Sequence, residues 1–117
     1  TRPVDNELAD DRAEQTAWVD ELRRVGLLGD KPGVDEMVLA LYRYLGRTPS
    51  RLLGLSLADA VGEMRTQNQP GTIDEYPNWR VPLGGPDGCR LLLEDVFRDP
   101  RARALAEAMR TAVNPPV

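Results

Sequence analysis

Apolar side chains recur with a helical period near the start of the chain. Trp18, Leu22 and Val25 are spaced so that they fall on one face of an α-helix. Gly26 follows directly and favours termination of that helix. The pattern predicts an amphipathic helix over residues 10–25, with a weaker stripe in its first turns.

A second helix is predicted after a turn at residues 30–33. Asp35 and Glu36 suit a helix N-terminus because their charge opposes the positive end of the macrodipole. Residues 37–45 are apolar on nearly every face, and Gly46 ends the run. A helix this apolar is expected to be buried on several sides.

Residues 50–57 form a short apolar run between Pro49 and Asp59. Such a run is typical of a parallel strand covered on both faces, although periodicity alone fits a buried helical segment equally well. We interpret it as a strand. The sequence offers no second convincing strand, so these residues alone cannot complete a sheet.

Two further helices are predicted towards the end of the chain. Residues 91–97 suggest one or two helical turns, and Asp99 then caps a helix that has Pro100 at its first position. The buried face of this last helix is assigned to Leu105, Met109 and Ala112, and its end to Pro115 and Pro116. The expected fold class is mainly α.

Composition narrows the range of partners. The 117 residues carry a net charge of −4, and basic residues form no cluster beyond Arg23-Arg24, so we expect neither a nucleic-acid nor a membrane partner. The single cysteine, Cys89, excludes an internal disulfide framework. The chain has no histidine, which removes the commonest general base and metal ligand. We therefore expect no metal and no cofactor, and a cytoplasmic location.

Residues 68–83 are denser in functional side chains than a connecting loop requires. Three prolines stiffen the segment, and Pro70 followed by Gly71 predicts a tight turn. Amides, aromatic rings and charges stand together in this segment: Asn68, Asn78, Tyr76, Trp79, Asp74, Glu75 and Arg80. This mixture suits a polyhydroxyl ligand.

The same residues carry a family resemblance. Asn68-Gln69-Pro70-Gly71-Thr72, followed by Tyr76-Pro77-Asn78-Trp79-Arg80, resembles the signature near the C-terminal end of 4-alpha-glucanotransferases, the amylomaltases or disproportionating enzymes of glycoside hydrolase family 77. The flanks at residues 47–62 and 91–110 are also similar to the family, so the match is collinear over about residues 18–109.

The resemblance implies a (β/α)8 barrel, which needs about 250 residues. The chain is therefore interpreted as a C-terminal fragment, residues 1–117, of one catalytic domain, with a signature loop at residues 66–86. Within such a barrel, residues 50–57 would be the last strand, residues 37–45 the helix before it, and residues 101–113 part of the outer helical layer.

The implied activity is the transfer of alpha-1,4-glucan segments between maltooligosaccharides by a retaining mechanism, in starch and glycogen metabolism. Its partners would be maltooligosaccharides or alpha-1,4-glucan and the remainder of the barrel. Retaining transfer needs two carboxyl groups about 5 Å apart, and the adjacent pairs Asp74-Glu75 and Glu94-Asp95 fail because neighbours in an extended chain point apart. The resemblance places the catalytic carboxylates outside this sequence, so the isolated chain is expected to be inactive.

Asn68 is the candidate substrate-binding residue. It matches the asparagine that heads the family signature, and an amide offers a donor and an acceptor in one plane, as vicinal hydroxyls do. The alternative is an amide that bonds its own backbone and holds the Pro70-Gly71 turn.

Tyr76 and Trp79 are candidates either for stacking on sugar or for anchoring the loop. Burial is favoured for the Trp79 indole, and a backbone hydrogen bond for the Tyr76 hydroxyl. Arg80 could brace the loop by pairing with Asp74 or Glu75.

Two alternative functions stay open. A small helical interaction module would expose the apolar face of residues 37–45. A carbohydrate-binding accessory domain would hold Trp79 and Tyr76 coplanar on one open surface.

Overall fold

The computed structural model describes residues 4–114, apart from the side chain of residue 5. This part of the chain divides into two compact units, with the boundary in sequence between Ser50 and Arg51.

The first unit begins with helix α1, Val4–Arg24, which is 21 residues long. Residues 10–24 of this helix lie in the range predicted for the amphipathic helix. The helix starts earlier than the apolar stripe indicated, because residues 6–14 are mostly strong helix formers even though they bury nothing. Arg23 and Arg24 in the last turn stabilise the helix, because their positive charge interacts favourably with the negative end of the macrodipole.

Helix α2, Val34–Gly46, confirms the second predicted helix. The backbone N–H of Gly33 donates to Glu36 Oε2 at 3.3 Å, which caps the first turn. The expected burial on several sides is only partly found. Ala40 and Tyr42 are buried, whereas the side chain of Leu45 is 47% exposed.

The two helices of this unit pack through one face of α1. Leu22 is fully buried. The rings of Trp18 and Tyr44 meet edge to face with centroids 5.7 Å apart, and the Tyr44 hydroxyl donates to Glu21 Oε1 at 3.3 Å. The packed positions Trp18 and Leu22 are those that the sequence assigned to the apolar stripe.

The strand predicted at residues 50–57 is wrong for this structure. Residues 51–56 are irregular, and the Leu52 side chain is 92% exposed. A strand needs neighbours for its backbone donors and acceptors, and the described residues offer none there. Ser56 instead caps a short helix, α3, Leu57–Val61, by accepting from the Asp59 N–H at 3.4 Å.

The last two helices of the second unit are α4, Leu93–Arg98, and α5, Pro100–Val113. Asp99 caps α5 as predicted, since its Oδ1 accepts from the Arg101 N–H at 2.8 Å. The buried face of α5 is made by Leu105 and Ala108, with Met109 and Ala112 half-buried. Pro115 and Pro116, predicted to end this helix, lie outside the described residues.

The core of the second unit lies where α5 packs against α3 and α4. Val61, Val96 and Leu105 are its largest buried side chains. Gly62 ends α3 in the left-handed region at φ 74°, and a Cβ there would lie 2.9 Å from Pro86 Cγ. Pro86, in the segment that precedes α4, therefore lies directly against the end of α3.

The described residues are mainly helical and contain no strand or barrel, only an isolated antiparallel bridge between Gly84 and Arg90. None of the helices in residues 4–114 combines the length and the apolar character that crossing a membrane would require.

Candidate functional site

The signature loop, residues 66–86, begins and ends at one buried carboxylate. The Glu63 side chain is 1% exposed. Its Oε1 accepts from the Arg65 backbone N–H and Nε, both at 2.9 Å, and its Oε2 accepts from Arg65 Nη2 at 2.7 Å and the Gly84 N–H at 2.8 Å. Arg65 Nη2 also donates to the Pro82 carbonyl at 2.9 Å. The two ends of the loop are therefore held together.

The Glu63 carboxyl group is ionised in this setting. The hydrogen bond from the Arg65 side chain, helped by the backbone N–H groups of Arg65 and Gly84, lowers the pKa of Glu63 from 4.5 to about 2 against the opposing effect of burial. A buried charge is tolerated when it is paired and fully hydrogen-bonded, and this carboxylate meets both conditions.

Above this base, three hydrogen bonds fix the first residues of the loop. The Tyr76 hydroxyl donates to the Thr66 carbonyl, which confirms the predicted backbone attachment of this hydroxyl. The Trp79 N–H donates to the Gln67 carbonyl at 2.7 Å, and Thr66 Oγ1 donates to the Asn68 carbonyl at 2.7 Å. The segment before the turn and the segment after it are thus joined at successive positions.

The predicted tight turn is present and is stabilised by Asn78. The Thr72 N–H donates to the Gln69 carbonyl at 3.3 Å, and Gly71 has φ 84°, which with Pro70 before it gives a type II turn. Asn78 Oδ1 accepts from the Gln69 N–H at 2.7 Å, while Asn78 Nδ2 donates to Thr72 Oγ1 at 2.9 Å.

Asn68 lies at the start of this turn with its side chain half-buried. Its carbonyl is engaged by Thr66, but its side-chain amide makes no hydrogen bond to any described residue. The structural role that competed with sugar binding, holding the turn, is filled by Asn78. The Asn68 amide therefore has donors and an acceptor to offer to a ligand.

The Trp79 indole is not buried within the described chain, contrary to the expectation from sequence. Its side chain is 76% exposed, and the residue has a left-handed backbone with φ 60°. This conformation costs a residue with a Cβ about 1 to 2 kcal/mol, so the hydrogen bonds of Asn78 and of the Trp79 N–H must hold it.

Arg80 does not brace the loop by the expected ion pair. It pairs with neither Asp74 nor Glu75 in the part of the chain that the structure describes. Glu75 Oε2 instead accepts from the Ile73 N–H at 2.8 Å, and this backbone hydrogen bond lowers the pKa of the Glu75 carboxyl.

The second adjacent carboxylate pair, Glu94 and Asp95, serves a helix terminus. Asp95 Oδ2 accepts from the Leu92 N–H at 2.9 Å and so caps α4. Each of the two pairs therefore has a member that satisfies a backbone donor, which agrees with their rejection as catalytic pairs.

The chain is similar in sequence to known proteins over its whole length. A model of the 4-alpha-glucanotransferase family, glycoside hydrolase family 77, matches residues 5–86, a range that ends with the signature loop. The chain belongs to this family. Proteins named 4-alpha-glucanotransferase from Mycobacterium bovis and Mycobacterium tuberculosis are 66% identical to it over 119 aligned residues.

These alignments cover 100% of this chain but 16% of each relative, so the chain spans about a sixth of the length of the curated relatives it matches. They extend past the family match through α4 and α5. No solved structure matches the chain.

Two members of this site were missed by reasoning from sequence. Glu63 and Arg65 stand two residues apart directly after Gly62, the left-handed residue that ends α3. An acidic and a basic residue at this spacing, between a helix-ending glycine and the family signature, are the signal that could have identified them. Asn78 was noted as one of two loop amides, but holding the turn was considered only for Asn68, as the alternative to sugar binding.

Residues 4–114 contain no cluster of three potential metal ligands. Cys89 is exposed, and a hydrogen bond to Asp87 raises the pKa of its thiol, which disfavours a reactive thiolate.

Proposed function

We propose that this chain is part of the catalytic domain of a 4-alpha-glucanotransferase that moves alpha-1,4-glucan segments between maltooligosaccharides by a retaining mechanism. In this proposal the chain supplies the loop at residues 66–86 to the substrate cleft and contributes helices that close a (β/α)8 barrel. The catalytic carboxylates come from the rest of the parent protein. Family membership and the names of the mycobacterial relatives support the proposal.

The observation that carries the proposal is the state of Asn68. Tyr76 and Asn78 bind backbone groups of Thr66, Gln69 and Thr72 within the signature loop, yet the amide at its head has no partner among the described residues. A stiff loop that presents a free planar amide is suited to hydrogen-bonding the hydroxyls of a glucose unit, at a low cost in ordering.

In the full-length protein, the Asn68→Ala variant should lose glucan transfer and keep its melting temperature. A cleft amide contributes its hydrogen bonds when substrate is present, so the loss in transition-state stabilisation should be about 1 to 3 kcal/mol. The measurements are glucose release from maltotriose and a thermal melt.

Gln69→Ala is the matched control, because Gln69 is a neighbouring exposed amide whose contacts in this structure are made by its backbone. It should transfer glucan at the wild-type rate. If Asn68→Ala melts early while its kinetics at low temperature stay normal, Asn68 has a structural role and the proposed binding role is wrong.

A second candidate function is a helical interaction module, favoured by a groove in the first unit. Side chains of α1 and α2 enclose about 450 Å³ there: Asp11, Glu14, Gln15, Trp18, Met37 and Leu41. The acidic residues at its edge would suit a basic amphipathic helix. Binding of such a peptide by the full-length protein, lost on Met37→Asp and independent of glucan, would support this function.

The third reading, a carbohydrate-binding accessory domain, has less support. Trp79 is exposed as this function requires, but Tyr76 is half-buried with its hydroxyl donated to Thr66. Only one of the two rings is therefore presented as an open platform.

A further inference from the structure

The base of the signature loop contains an ion pair that the family signature does not include. Glu63 and Arg65, here called the Glu63–Arg65 strap, precede the loop, and both reach across to the chain that leaves it. The contacts on the far side are backbone groups, the Gly84 N–H and the Pro82 carbonyl. The strap therefore acts on the path of the backbone and not on another side chain.

The strap has a well-formed bidentate contact, although its arginine is partly exposed to solvent. Both carboxylate oxygens are engaged by the guanidinium at 2.7 to 2.9 Å, which is the bidentate arrangement that fixes orientation as well as distance. The Arg65 side chain is 43% exposed but the Glu63 side chain is only 1% exposed. Burial of the carboxylate reduces screening and distinguishes this pair from exposed pairs such as Glu107 and Arg110.

Gly84 shows how closely the strap approaches the backbone. A Cβ at this position would lie 2.7 Å from Arg65 Nη2 and 3.0 Å from Glu63 Oε2. It would also lie 3.2 Å from the Cys89 carbonyl, a backbone atom with little room to move. The strap and its contact with the loop therefore require glycine at residue 84.

The strap is continuous with the residue that carries the proposed function. Thr66 follows Arg65 directly, accepts the Tyr76 hydroxyl through its carbonyl, and donates its own hydroxyl to the Asn68 carbonyl. Fixing Arg65 thus fixes the start of a run of hydrogen bonds that ends at the Asn68 peptide. Release of the strap would separate the two ends of the loop and let this run move.

We propose that the Glu63–Arg65 strap is a positioning device that sets the location of the Asn68 amide for an alpha-1,4-glucan chain. The substrate part of this inference rests on the proposed function. In this proposal Glu63 and Arg65 are positioning residues, since they act on the substrate through the loop.

The first test measures hydrogen exchange at backbone amides of the 117-residue chain. In Glu63→Gln, the amides of Gly84, Gln69 and Trp79 should exchange about ten-fold faster or more, because a neutral amide side chain cannot accept from four donors as the carboxylate does. The amides of α5 should keep their wild-type rates. Glu107→Gln, which removes an exposed carboxylate from an i,i+3 pair, should change neither set.

A second variant reaches the same contact without changing a charge. Gly84→Ala should accelerate exchange at Gln69 and Trp79, while Gly54→Ala should not, because a Cβ at Gly54 meets no atom within 4 Å. If residues 66–80 exchange at wild-type rates in Glu63→Gln and in Gly84→Ala, the proposal is wrong. It is also wrong if α5 accelerates as much as the loop, since the strap would then hold the unit and not the loop.

The last arm uses the full-length protein with maltotriose. Glu63→Gln should raise KM about ten-fold with a smaller change in kcat. Arg65→Gln should raise KM in the same way, and Arg65→Lys should raise it less, because lysine retains the charge but not the bidentate contact. Faster exchange in the loop with an unchanged KM would overturn the role in substrate positioning. A wild-type protein without transfer activity would instead refute the proposed function, and the exchange measurements would still decide whether the strap orders the loop.

Discussion

Two asparagines of the signature loop differ in the hydrogen bonds that their side-chain amides make. Asn78 accepts from the Gln69 N–H through Oδ1 and donates to Thr72 Oγ1 through Nδ2, so it is a structural residue of the turn. Asn68 makes no such contact with a described residue. Residue type alone does not separate the two, because an amide is equally suited to a backbone and to a sugar hydroxyl.

Glu63 should make the stability of the chain depend on pH in acid. Its folded pKa, about 2, lies below the ordinary value of 4.5, so its contribution is complete above about pH 5 and is lost as the pH falls towards 2. The free energy of unfolding of the wild type should therefore exceed that of Glu63→Gln by a constant amount at neutral pH. That difference should shrink between about pH 5 and pH 2.

Denaturant unfolding of both proteins at several pH values measures this difference. The comparison isolates Glu63, because other carboxyl groups with a lowered pKa, such as Asp99, are present in both proteins. Stability curves that stay parallel down to pH 2 would show that the carboxylate is not held as the structure describes.

At the scale of the element, the local sequence specifies where a helix begins better than it specifies what packs around an element. Asp99 and Pro100 begin α5 as predicted. Both act locally, because the Asp99 carboxylate accepts from the nearby Arg101 N–H and Pro100 occupies a first helical position, where no backbone N–H is needed. Residues 50–57 show the contrary case. Whether an apolar run becomes a strand depends on neighbouring strands, and without them Ser56 starts a helix instead.

Removal of the α5 cap should destabilise the second unit. Asp99→Ala removes the carboxylate that accepts the Arg101 N–H and caps α5, so the free energy of unfolding should fall by about 1 to 2 kcal/mol. Asp99→Asn is the matched control, because asparagine is an equally good N-cap and should recover most of that loss. Urea unfolding followed by circular dichroism decides the prediction. An Asp99→Asn variant as unstable as Asp99→Ala would assign the effect to the ion pair with Arg101 and not to the cap.

At the scale of the whole molecule, many large apolar residues are exposed and few are buried in the core. Side chains at least 40% exposed include large apolar ones in both units: Trp18, Leu45, Leu52, Leu55, Ile73 and Phe97. In the proposed parent, the rest of the barrel would cover part of this surface. Exposed apolar area of this kind promotes association in isolation.

The isolated 117 residues should therefore self-associate and release no glucose from maltotriose. Association is expected through Leu39, Leu41, Leu45, Leu53 and Leu55, and Leu45→Lys together with Leu55→Lys should weaken it. Sedimentation velocity over a range of concentrations tests the first statement, and a coupled glucose assay the second. A chain that stays monomeric at high concentration, or one that releases glucose, contradicts the corresponding statement.

The sequence alone determined those features that depend on neighbours along the chain. The apolar stripe of α1, the cap of α5, the Pro70-Gly71 turn and the family signature are each encoded within a few residues, and each is present in the structure or in the family match. Local sterics and local hydrogen bonds fix them, so periodicity and residue type are sufficient.

Tertiary structure decided the features that depend on contacts across space. The strap could not be derived from Glu63 and Arg65 alone, because its other half is the backbone of Pro82 and Gly84. Trp79 is exposed and has a left-handed backbone, and its N–H donates to the carbonyl of Gln67, twelve residues earlier. Such contacts join residues far apart in sequence, and their energies exist only once the chain has folded.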